Sequence, residues 1–173
     1  MFLKAFALVS TLCLVVACQS KDASNSANGS DSGAQNGEIG ASGPNIWAGP
    51  TLTFIKENGA DHTDPAHQDA ITDNVVLTRG IQGSLMNVIV EDTAKEQSPA
   101  GTEWAVGRTE DLQTLEFKPL KAAAKNEMKS VPGMDFVLHL IEEDIYIDVT
   151  FLSWNSGGES GGGVGYKRST QAE

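Results

Sequence analysis

One stretch limits the possible folds more than any other: Phe136 to Trp154, FVLHLIEEDIYIDVTFLSW. Its second arm alternates. Ile145, Ile147, Val149 and Phe151 fall on one face, and Asp144, Tyr146, Asp148 and Thr150 on the other. A period of two is the mark of a half-buried strand. The first arm, Phe136 to Ile141, is apolar on both faces except at His139, which predicts a strand inside a sheet rather than at its edge. Glu142, Glu143 and Asp144 make the turn of a β-hairpin.

Further strands are expected at Leu52–Lys56, Thr72–Arg79, Ser84–Val90, Glu103–Val106, Gln113–Lys118 and Val164–Ser169. Gly80 to Gly83 reads as a hairpin turn. Pro119 to Met128 is the best helix, with Pro in its first turn and Ala and Lys after it. Asp64 to Ala70 fits a single helical turn. About eight closely spaced strands and one short helix predict an all-β, mainly antiparallel domain, a β-sandwich or a barrel-like relative. The domain runs from residue 44 to 173, a length suited to one core.

The first 17 residues read as a removable leader. Lys4 is followed by an apolar run from Ala5 to Val16, shorter than the ~20 residues that span a bilayer. Val15-Val16-Ala17-Cys18 resembles the lipobox of a bacterial lipoprotein. That resemblance implies cleavage before Cys18, a diacylglycerol thioether on its sulfur and acylation of the new amino terminus. Gln19, in place of Asp, implies delivery to the outer membrane. The other cysteine, Cys13, lies in the leader, so the folded domain has no disulfide and no cysteine-based metal site. Residues 18–43 form a tether of Ser, Gly, Asn, Ala and Asp that cannot bury enough surface to order itself. As a flexible coil it reaches roughly 25–30 Å from the lipid.

Loss of Lys4 leaves 11 basic against 23 acidic residues, a formal charge of −12 in place of −11. Such a surface does not suit nucleic acid or anionic headgroups, so attachment to the membrane falls to the lipid. Several phrases stand together: Ile46-Trp47 before Gly49-Pro50, Ile71-Thr72-Asp73-Asn74, Thr78-Arg79-Gly80, Ser98 to Ala105, Asp144 to Val149, and Tyr166 before Arg168-Ser169-Thr170. They resemble a family of exported, partly lipid-anchored bacterial β-rich proteins. The resemblance implies an exported single β-domain over Ile46 to Thr170 and supplies no catalytic residues.

Gly158-Glu159-Ser160-Gly161-Gly162 satisfies Gly-x-Ser-x-Gly, but a nucleophile elbow needs a helix next, and Val164 to Ser169 reads as a strand. It is expected to be a flexible loop. Asp61, Asp64, Asp69 and Asp73, with His62 and His67, crowd one loop. Clustered carboxylates suit calcium, although no EF-hand spacing is present; the same residues suit Asx-turns and a helix cap. Counting by twos along the second hairpin arm puts Tyr146, Asp148 and Trp154 on one face. Rings beside carboxylates fit a sugar, and a face packed internally fits them too. Glu142, Asp144 and Asp148 could supply the carboxylate pair of a glycan hydrolase. The expectation is a lipid-anchored envelope protein whose β-domain binds a glycan, another ligand or an envelope protein. A glycan-directed hydrolase and a purely structural lipoprotein are the alternatives.

Overall fold

A computed structural model describes residues 43–94 and 97–173. The leader, Cys18 and the tether up to residue 42 lie outside the described residues. No described helix is long and apolar enough to cross a membrane.

The strands are β1 (Asn45–Trp47), β2 (Leu52–Lys56), β3 (Asp69–Ala70), β4 (Val76–Arg79), β5 (Leu85–Asn87), β6 (Thr102–Val106), β7 (Asp135–Leu140), β8 (Ile145–Trp154) and β9 (Val164–Arg168). They form two sheets, mostly antiparallel, in a sandwich-like all-β domain. The larger sheet has the order β2-β9-β8-β7-β6, and β1 joins it by pairing with β8; the smaller is β3-β4-β5.

The expected hairpin is β7 and β8, joined from Leu140 to Ile145. Its turn closes with Asp144 at φ 51°, a left-handed position that Asp tolerates. The inward parity of Ile145, Ile147, Val149 and Phe151 holds, with every one of them buried. Phe136, Leu138 and Leu140 share that face because they stand opposite Val149, Ile147 and Ile145 in the register. Trp104 lies against Phe136 and Phe151 at ring distances of 6.5 and 6.1 Å. Leu77 and Leu85 of the smaller sheet complete the same core. Each such side chain contributes roughly 1.5–3 kcal/mol on burial.

Several expected elements differ. Gln113–Lys118 is not a strand. Thr109–Thr114 coils into 3₁₀ turns, and only Lys118 bridges, to Trp104. Phe117, read there as strand, instead covers the outer face of β7 and β8, where it meets His139 and Tyr146 edge-on. The helix shrinks to α1 (Leu120–Ala123), because Lys125 and Asn126 adopt positive φ and turn the chain away. Thr72–Arg79 pairs only from Val76: the Thr72 hydroxyl accepts from Asn74 N and Val75 N and holds a turn instead. Ser84–Val90 ends at Asn87, whose amide oxygen accepts from Val76 N and Ile89 N. Asp64 caps a 3₁₀ turn at Pro65–His67, and Asp69–Ala70 becomes a strand. β1 was not expected. It pairs in parallel with Ile145–Ile147, a contact between residues about 100 apart in sequence.

Candidate functional site

The face expected to carry Tyr146, Asp148 and Trp154 together does not exist. The β8–β9 register shifts between Phe151 and Ser153, and this irregularity reverses the parity of the strand's end. Leu152 is exposed, whereas Trp154 turns inward and is 8% exposed. Tyr146 and Asp148 stay on the outer face, and both are engaged there. Tyr146 stacks flat on His139, with ring centroids 4.3 Å apart, and His139 Nε2 sits 3.1 Å from Asp144 Oδ1. Burial, then the Asp144 carboxylate, raises the Tyr146 hydroxyl above its ordinary pKa. Asp148 accepts from Thr109 N and Thr109 Oγ1 at 2.8 and 3.0 Å, docking the 3₁₀ segment on the sheet.

Of the carboxylates set out for hydrolysis, Asp148 is held by Thr109 and Asp144 lies beside His139. Asp144 and Asp148 are four residues apart along an extended chain, roughly 13 Å at the backbone, beyond the separations glycosidases use. Glu142 is exposed in the turn. The acidic loop is likewise drawn apart. Asp61 accepts from Thr63 N and Thr63 Oγ1, which hold its carboxyl below the usual range. Asp64 accepts from Ala66 N, and Asp73 is exposed. Asp69 is buried against Arg168 and Tyr166. Among the described residues no three His, Cys, Asp or Glu side chains gather to hold a metal ion. The glycine loop is packed rather than loose: Gly161, Gly162 and Gly163 are all buried, while Ser160 is exposed in a 3₁₀ turn ahead of β9.

The site that the fold does assemble is a cleft of about 550 Å³ beside the β4–β5 hairpin. That volume is in the range of small-molecule sites. Its inner wall is made by Arg79, Ser84 and Trp154, and its rim by Lys121 of α1 with Met128 and Lys129. Arg79 shares the parity of Leu77 on β4, so the strand carries its guanidinium inward, where it is 3% exposed. Its Nε donates to Gly83 O, and Nη1 donates to Asn155 O and Gly163 O, at 2.8 to 3.1 Å. The guanidinium carbon lies 4.0 Å from the Trp154 ring centre. Burial lowers the Arg79 pKa to about 10, which leaves it a cation at neutral pH. Ser84 Oγ is buried with no hydrogen-bond partner among the described residues.

This cleft gathers charge and hydrogen-bond donors without a base placed to activate a nucleophile. Among the described residues Glu127 is the one carboxylate of its lining, and the Ser84 hydroxyl meets no general base. Arg79 and Ser84 went unnoticed in the sequence as site residues. The available signal was an arginine in phase with Leu77 at the end of an apolar strand. No family model, curated protein or solved structure matches the chain.

Proposed function

We propose that this chain is a lipid-anchored envelope protein, held through Cys18 in the outer membrane, whose β-domain binds a small ligand in the cleft between Arg79 and Trp154. The observation that supports binding is Ser84 Oγ, buried without a hydrogen-bond partner among the described residues, at the wall of a roomy cleft that the buried Arg79 guanidinium also lines. Buried polar groups are ordinarily satisfied, so groups left open at a concave surface suit a partner from outside the chain. The motif Val15-Val16-Ala17-Cys18 supports the anchor.

Two measurements test this reading. Intact-mass analysis of membrane-extracted protein is expected to find an acylated chain beginning at Cys18; an unacylated, water-soluble mature chain ends the anchoring half. Native mass spectrometry of the full chain, released from envelope extract, is expected to show a bound small molecule. Ser156→Trp, which fills the cleft from its side, should abolish that adduct without lowering the melting temperature. An adduct that survives Ser156→Trp places the ligand elsewhere.

A further inference from the structure

We propose that the ligand of this cleft is a small organic oxyanion, a carboxylate or phosphate on a compact body, received by Arg79 Nη2 and Ser84 Oγ at the inner wall. This rests on the reading of the cleft as the ligand site and adds the chemistry it selects.

The charge balance is the first observation. The chain as a whole is strongly acidic, at −11. Among the described residues the cleft is the reverse, lined by Arg79, Lys121 and Lys129 against one carboxylate, Glu127. A concave wall of one sign focuses its field on an incoming counter-charge. Lys56 Nζ, buried and without a hydrogen-bond partner among the described residues, lies within Coulombic range of Arg79.

The second observation is the donor set. A guanidinium has five N–H bonds. Arg79 directs one from Nε and two from Nη1 to carbonyl oxygens, and Nη2 makes no hydrogen bond among the described residues. No carboxylate among those residues lies within ion-pair distance of Arg79; neutral carbonyls and the Trp154 ring are its partners. A buried cation without a counter-ion is costly, and cation–π contact offsets only part of that. Ser84 precedes β5, and Leu85 is the register partner of Arg79, so the two residues lie at one end of the hairpin, and both line the cleft. The fork geometry that grips both oxygens of a carboxylate through Nη1 and Nη2 is closed, because Nη1 is committed to the chain.

The third observation is size. About 550 Å³ exceeds what a bare ion fills, and Met128, Ala94 and the Trp154 edge offer apolar surface for a body attached to the anion.

Calorimetric titration of the full chain in detergent with glucuronate, glucose 6-phosphate, inorganic phosphate and glucose tests this. The two charged sugars are expected to bind, glucose is not, and affinity should fall as salt rises. Ser84→Ala is expected to keep the melting temperature, because the hydroxyl has no partner among the described residues, and to weaken the charged sugars about tenfold or more. Lys121→Glu with Lys129→Glu should weaken them similarly, while Lys167→Glu, outside the cleft, should not. Glucose binding as well as glucuronate, with Ser156→Trp abolishing both, keeps the cleft as the ligand site and overturns the oxyanion. Anion binding unmoved by Ser84→Ala and the rim pair overturns both readings. Inorganic phosphate binding as tightly as its ester overturns the organic body. No binding of either charged sugar at millimolar concentration overturns the proposal.

Discussion

Arg168 and Asp69 form a buried, two-bonded ion pair that joins β9 of the larger sheet to β3 of the smaller. Arg168 Nη2 donates to Asp69 Oδ1 and Nε donates to Oδ2, each at 2.8 Å. Tyr166 OH donates to the same Oδ2 at 2.8 Å. Burial, and then the Asp69 charge, drives the Tyr166 hydroxyl well above its ordinary pKa and keeps it a donor. Arg168 and Asp69 are each about 4% exposed, so the pair is shielded from solvent screening.

Removal of one partner leaves the other charge buried alone. Asp69→Ala is expected to destabilise by about 3–5 kcal/mol in urea denaturation. Asp69→Leu combined with Arg168→Met should recover much of that loss, because no unpaired charge remains. A double variant as weak as the single one means the pair is needed for the sheets to register at all.

Lys56 tests the opposite case, a buried charge with no partner. It faces the core from β2, and Nζ makes no hydrogen bond among the described residues. Burial lowers its pKa below the ordinary 10.5, and the Arg79 charge lowers it further, against a smaller opposing effect from Asp61. The unfolded chain therefore holds this proton more tightly. The penalty is full below the folded-state pKa and fades as pH climbs to 10.5. Lys56→Met is expected to stabilise by about 1 kcal/mol or more at pH 7. Its advantage over the natural chain should shrink between pH 7 and 10.5. A constant difference across that range assigns the effect to packing, not to charge.

The parity of β8 predicts contrasting costs for two neighbouring substitutions. Ile147 is fully buried, and Ile147→Asp should cost several kcal/mol. Leu152 is 41% exposed beside the register shift, and Leu152→Asp should fall within about 0.5 kcal/mol of the natural chain. Equal thermal shifts for the two contradict the inward and outward parity of β8 as far as Leu152.

Two glycines of the loop before β9 separate conformational strain from close approach. Both have left-handed φ, Gly158 at 67° and Gly162 at 64°. A methyl group on Gly158 meets nothing within 4 Å; on Gly162 it would lie 2.5 Å from Ile81 O and 2.6 Å from Gly80 O. Gly158→Ala is expected to cost about 1 kcal/mol from φ alone. Gly162→Ala should cost about 2–4 kcal/mol, by adding displacement of the β4–β5 turn. It should also disturb the cleft, because that turn carries Ser84.

What the sequence determined by itself is whatever repeats within a few residues. Alternation from Ile145 to Phe151 set which side chains of β8 enter the core. Glu142 to Asp144 set the turn, and the apolar character of Phe136–Leu140 set β7 inside a sheet. Apolar content in Leu115 and Phe117 was legible too, but not its use. A covering segment and a strand present similar spacing over so few residues.

The tertiary structure decided everything that depends on two distant segments meeting. A local register shift against β9 sends Trp154 inward, and no period in β8 itself encodes that shift. Asp69 looks like any loop carboxylate until Arg168, 99 residues later, arrives beside it. Arg79 is one charged residue at the end of a strand until Asn155 and Gly163 supply the carbonyls that hold it beneath the cleft. Side-chain periodicity is written locally because each strand has only two faces. Which charge is paired, and which is left open to a ligand, depends on neighbours that only the folded chain brings together.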